Sequence, residues 1–126
     1  MQADIFTKKV RERGAMASLE EATRSIAATF EAIAARLPQE EAKCLLAQLP
    51  SEFHAYFAGA KPMAQVDKLT LQQFYARIAA QIGCEPSRAE RSAVAVSRTL
   101  QEAVSVGEMD AVRQMLPKEF APLFSA

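Results

Sequence analysis

Leu49-Pro50-Ser51-Glu52-Phe53-His54-Ala55-Tyr56-Phe57 has a second copy downstream, Leu116-Pro117-Lys118-Glu119-Phe120-Ala121-Pro122-Leu123-Phe124. Leucine, proline, glutamate and both phenylalanines keep their places. The leucine closes one helix into a core. The proline ends that helix and pre-sets the first turn of the next. The glutamate falls in that first turn, where the helix dipole favours negative charge. Two phenylalanines spaced i, i+4 then dock the short helix by one face. Structural duty explains every residue of the motif, and a ligand-binding role for the phenylalanines is the sharper alternative.

The match extends outward from the motif. Residues 22–57 slide onto 89–124 without a gap, so that Ala22, Arg24, Ser25 and Ala28 meet Ala89, Arg91, Ser92 and Ala95, and Glu41 meets Glu108. Phe6 and Val10 match Phe74 and Ile78 one residue out of that register, with the slip in the turns that carry Gly14 and Gly83. The chain therefore reads as one domain, 1–126, written twice: a repeat over about 4–57, a linker over about 58–69 and a repeat over about 70–124. A unit of about 60 residues is marginal alone, so the two should share a core.

Apolar spacing makes both repeats helical. Leu19, Ala22, Ile26, Phe30, Ile33 and Leu37 recur at steps of three and four, as do Leu71, Phe74, Tyr75, Ile78 and Ile82. Ser18-Leu19-Glu20-Glu21 and Thr70-Leu71-Gln72-Gln73 are capping boxes. The spacing predicts helices over about Asp4–Arg13 (with Asp4 as cap), Ser18–Leu37, Gln39–Leu49, Pro50–Phe57, Thr70 to Gly83, Pro86–Val104, Glu108–Leu116 and Pro117–Phe124. No run of alternating β-branched residues persists. The fold class is all-α: a bundle of about eight helices in two pseudo-symmetric repeats.

Composition excludes several functions. The 15 Lys+Arg balance 15 Asp+Glu, whereas a dedicated nucleic-acid binder usually shows a basic excess. The balance holds in both halves: residues 1–67 carry 8 basic and 9 acidic side chains, and residues 68–126 carry 7 and 6. No stretch approaches the ~20 apolar residues of a membrane span, and charges interrupt every candidate leader segment. The expected location is the cytoplasm, with Cys44 and Cys84 as free thiols. His54 has no patterned nucleophile or orienting acid, and no phosphate-loop, dinucleotide or metalloprotease motif occurs. No catalytic, metal or cofactor residue is therefore assigned, and an enzyme is not expected. Lys8, Lys9, Arg11 and Arg13 read as a solvated helix face, and Glu20/Glu21 and Glu40/Glu41 as first-turn acids. Met16, Met63, Met109 and Met115 read as core filling.

Two groups stand out. Arg24 and Arg91 recur early in long helices, where the dipole does not favour positive charge. We expect each to pair with Glu52 or Glu119, or else to anchor a small anion in a pocket between the repeats. Tyr56, Phe57, Tyr75 and Leu123 lie on the shoulders of the apolar stripes and are the expected exposed face for a protein partner or a second copy. A closed pocket with an unpaired arginine would favour an anion binder. Polar groups converging on His54 or Cys44 would favour an enzyme.

The Gly-turn, the helix start at Glu21-Ala22-Thr23-Arg24, Ala47-Gln48-Leu49-Pro50 and the second L-P-x-E-F resemble the prokaryotic family called domain of unknown function 2267. The resemblance covers about Phe6 to Phe124. It implies an all-helical, two-repeat bacterial protein and carries no catalytic residue across. The second repeat departs from the pattern at Gln114-Met115-Leu116-Pro117, and at Val106-Gly107 where the first has Gln39-Glu40. The function expected is a non-enzymatic protein-interaction or binding module; the alternative is a binder of small anionic ligands.

Overall fold

A computed structural model describes residues 1–58 and 69–124. Among these residues all regular structure is helical: α1 (Ala3–Arg13), α2 (Leu19–Arg36), α3 (Gln39–Ala47), a 3₁₀ turn (Ser51–Phe53) leading into α4 (His54–Ala58), α5 (Leu71–Ile82), α6 (Pro86–Ala103), α7 (Val106–Met115) and a terminal 3₁₀ segment (Lys118–Phe124). Most of the expected 58–69 linker lies outside the described residues.

The helix ends show local chemistry at work. Thr70 closes a full capping box with Gln73, and Gly83 ends α5 in the left-handed region at φ +81°. At α2, Ser18 Oγ accepts from the Glu21 N–H, but the Glu21 carboxylate takes the N–H of Ala17 at 2.8 Å instead of that of Ser18. α1 starts at Ala3 with Gln2 at its cap, so Asp4 is a first-turn acid and not the cap. Gly14 is in the right-handed region, and Ala15 takes the positive φ of 49°. Gly14 is there for close approach: a Cβ would stand 2.6 Å from Met16 Cε and 3.2 Å from the Val10 carbonyl. α7 begins at Val106 and not Glu108, because Ser105 caps it. Pro122 denies a backbone donor, and the last segment stays 3₁₀ instead of α.

Helices α2 and α6 carry the centre. Their facing surfaces are rich in small residues, Ala22, Ser25, Ala28, Thr29 and Ala32 on one and Ala89, Ser92, Ala93, Val96 and Ser97 on the other, all buried. Small side chains let the two backbones run close together. α1 packs on α2 and α6, α5 packs on α6 and α2, and α3 packs on α7. Exchanging α1 with α5, α2 with α6 and α3 with α7 maps each of these contacts onto another of the set. The starts of α2 and α6 meet through a Glu21–Arg88 ion pair.

The repeated motif closes back on the start of its own half. Phe53 meets Phe6 edge-on at 5.1 Å, and Phe120 meets Phe74 edge-on at 5.3 Å. Phe30 completes the first ring cluster, 5.7 Å from Phe6 and 5.6 Å from Phe53. The position equivalent to Phe30 is Ser97, and the Arg36 guanidinium instead lies 5.6 Å from the Phe120 ring centre. The basic face of α1 is more than solvated: Lys9 and Arg13 pair with Glu102 of α6, and Arg11 donates to the Ala17 carbonyl. Met16 and Met109 are buried as expected, Met115 is 48% exposed, and Met63 lies outside the described residues.

Candidate functional site

Polar groups gather on the seam between α3 and α7. Helical spacing places Glu41, Cys44 and Gln48 on one face of α3. Opposite them, Ser105 caps α7 by accepting the Glu108 N–H at 3.2 Å. Gln48 grips that cap with both ends of its amide: Nε2 donates to Ser105 Oγ at 3.2 Å and Oε1 accepts the Ser105 N–H at 2.7 Å. One turn along, the Glu108 carboxyl faces Glu41. Ligand atoms of Glu41, Glu108 and Cys44 all lie within 4.8 Å of one another.

Glu108 is the perturbed member. Its Oε2 is cut off from solvent and has no hydrogen-bond partner. Desolvation, then a hydrogen bond with Glu41 that requires a proton, then the Glu41 charge push the Glu108 carboxyl up to about 7. Cys44 stands exposed beside the pair and is a free thiol. Nucleophilic cysteines occupy electropositive surroundings, and the neighbours of Cys44 are two carboxyls. Metal ligands are oriented by further hydrogen bonds; among the described residues none reaches Glu41 or Cys44 apart from the contact with Glu108. The chemistry available on the seam is the holding of a proton.

A second feature is a groove of about 540 Å³ beside the terminal 3₁₀ segment. Leu116, Pro117, Phe120, Ala121 and Phe124 line it, with Arg113 and Lys118. Arg113 is held by Asp110, by Gln101 and by the Phe124 ring 5.8 Å away. Lys118 is exposed and has no ion pair among the described residues.

The expected site residues are placed differently. Phe57, Tyr75 and Leu123 are buried, with exposures of 8%, 2% and 0%, and only Tyr56 is partly open. They were expected outside because a stripe's shoulder faces solvent on a lone helix. Here neighbouring elements cover the shoulders: Phe57 packs on Phe30 of α2 at 5.4 Å, and the helix that carries Tyr75, α5, packs on α2 and α6. The large apolar side chains that are exposed are scattered: Met1 and Ile5 at the start of α1, Leu19 at the start of α2, and Val106 and Met115 at opposite ends of α7.

The expected arginine pairs are also absent among the described residues. Arg24 lines a shallow pocket with Glu31, Tyr56 and Gln81, away from Glu52. Arg91 reaches the Gly14 carbonyl at 3.4 Å. Glu119 accepts the Leu71 N–H at 2.7 Å and so caps α5, while Glu52 meets Ser51 Oγ at 3.3 Å. The free N–H groups at a helix start compete well for a nearby carboxylate, which explains where Glu119 goes. His54 bonds the Leu49 carbonyl at 3.2 Å, a local structural contact.

Sequence reading missed the seam. The signals were present: Ser105-Val106-Gly107-Glu108 is itself a capping-box pattern, and Glu41 and Glu108 hold equivalent repeat positions. Nothing in either pattern says that equivalent positions meet.

Comparison with protein families gives one match. The model of the family described as "Uncharacterized conserved protein (DUF2267)" matches residues 3–123, nearly the whole chain. No curated protein matches the sequence. Among the described residues no helix is long and apolar enough to cross a membrane. The chain belongs to the DUF2267 family.

Proposed function

We propose that this member of the family is a non-enzymatic binding module, and that its binding face is the groove beside the terminal 3₁₀ segment. One observation carries the reading: a groove open at Pro117 and Ala121, above the largely covered side chains of Leu116, Phe120 and Phe124, lies next to Lys118, a cation without an ion pair among the described residues. An apolar floor supplies affinity through area removed from water. A charge at the edge selects the sign of the partner. The occupant that fits is an apolar protein segment carrying negative charge, in the helix-or-turn-in-groove manner of peptide recognition.

The alternative, a small anionic molecule between the repeats, finds less support. The pocket that holds Arg24 also holds the Glu31 carboxylate, which opposes an anion there. The cluster around Cys44 carries two carboxyls and lacks the electropositive setting that nucleophilic chemistry needs.

The test uses 1-anilinonaphthalene-8-sulfonate, whose rings and sulfonate mimic an apolar segment with one negative charge. Wild type is expected to bind it saturably, with affinity that falls as salt rises. Lys118→Glu should weaken binding at least about fivefold through charge alone. Non-saturable binding, or equal affinity in Lys118→Glu, would remove the groove from consideration.

A further inference from the structure

We propose that Glu41 and Glu108 share one proton across the α3–α7 seam, and that loss of this proton loosens α3 from the bundle. The inference is independent of the groove.

Three observations converge. The two carboxyls face each other from separate helices with donor atoms within 4.8 Å. Glu108 Oε2 is sealed from water with no partner if both groups are ionised; one shared proton supplies the missing hydrogen bond and removes one of two like charges. No cation compensates: among the described residues, the titratable groups facing Glu108 are Glu41 and Cys44, both from α3, and neither acid forms an ion pair. The direction of the Glu108 shift agrees with this geometry.

α3 is the element that would yield. Leu45 is its one buried residue, whereas α7 buries Met109 and Val112. Besides that leucine, the partly buried Ala42 and Leu46 and the Gln48 grip on Ser105, the carboxyl pair is the remaining contact of the seam. Mildly acidic conditions keep the proton and hold α3 down. As pH rises through about 7 the second carboxyl ionises, and two like charges then face each other with Glu108 Oε2 cut off from solvent. The charge is relieved by moving α3 outward, which opens that atom to water. The pair titrates as a unit, so its two steps belong to both residues.

The experiment is a carboxyl-carbon NMR titration of glutamate-labelled protein, paired with amide hydrogen exchange of α3 at pH 6 and pH 8.5, corrected for intrinsic rates. In wild type one carboxyl of the pair should titrate near 7. Protection of α3 should fall about tenfold or more over this interval, since one pKa unit is a tenfold factor. Glu108→Gln, a neutral isostere that can donate to Glu41, should keep its α3 protection at both pH values. His54 is present in wild type and variant, so its own contribution cancels. Two results would overturn the proposal: both carboxyls titrating below 5 in wild type, or the same loss of α3 protection in Glu108→Gln. If Glu108→Gln does not fold, Glu41→Gln takes its place with the same expected outcome, and the wild-type titration decides on its own.

Discussion

The Phe6–Phe53 contact makes the role of the repeated motif measurable. Phe6 is fully buried and Phe53 is 4% exposed, and their rings meet edge-on at 5.1 Å. Truncation of a buried phenylalanine to alanine costs about 3–5 kcal/mol, transfer and cavity together. Both rings also touch Phe30, so the cavity left by either has rigid aromatic walls and collapses poorly. The upper part of that range is expected for each. A chain of this size loses roughly 4 °C of Tm per kcal/mol, so Phe53→Ala should lower Tm by about 15–20 °C. The edge-on pair adds about 0.5–1.5 kcal/mol beyond area. The double variant should therefore be less destabilised than the sum of the singles by about that amount. Thermal and urea unfolding followed by circular dichroism at 222 nm give all four corners of the cycle. A Phe53→Ala loss under about 1 kcal/mol, or strict additivity, would refute the view that the short helix is a core element docked on α1.

Other expectations follow from helix ends and charges. Thr70→Ala removes the capping box of α5 and should cost about 0.5–2 kcal/mol in urea unfolding. Gly83→Ala meets no atom within 4 Å but must hold φ +81°, so a loss of about 1–2 kcal/mol from backbone strain alone is expected. Stability should peak in a narrow window around pH 4.5–5. Below that window it falls, because ion pairs with Arg88 and with Arg13 and Lys9 hold the Glu21 and Glu102 carboxyls under their ordinary 4.5, and protonation forfeits those pairs. Above it stability falls again, and the fall is complete soon after pH 7, because the unfolded chain gives up the Glu108 proton at about 4.5 while the fold holds it to about 7. A Tm against pH curve with no decline between pH 6 and 8.5 would contradict the second limb.

Much of the helical layout was legible. Thr70-Leu71-Gln72-Gln73 specifies its own cap, Gly83 its own left-handed stop, and Pro86 the first position of α6. These features depend on interactions within four residues, which the local sequence fully supplies. Ile26, Phe30 and Ile33 were legible as core because the stripe's centre is buried in any packing. Phe57, Tyr75 and Leu123 were not, because a shoulder residue's exposure depends on whether another element covers it. Arg24 and Arg91 were misread for a related reason: a long side chain reaches many partners, and the nearest one is set by the fold.

The sequence by itself determined the helices, most of their caps, and which positions of one half correspond to which of the other. It placed Glu41 with Glu108 as equivalents without showing that they touch. Only the tertiary structure decided that. α2 lies against α6 and α3 lies against α7, so equivalent positions of the two halves can meet across each of these contacts. One such confrontation joins opposite charges at Glu21 and Arg88. The other sets carboxyl against carboxyl at Glu41 and Glu108, where only a proton can satisfy both.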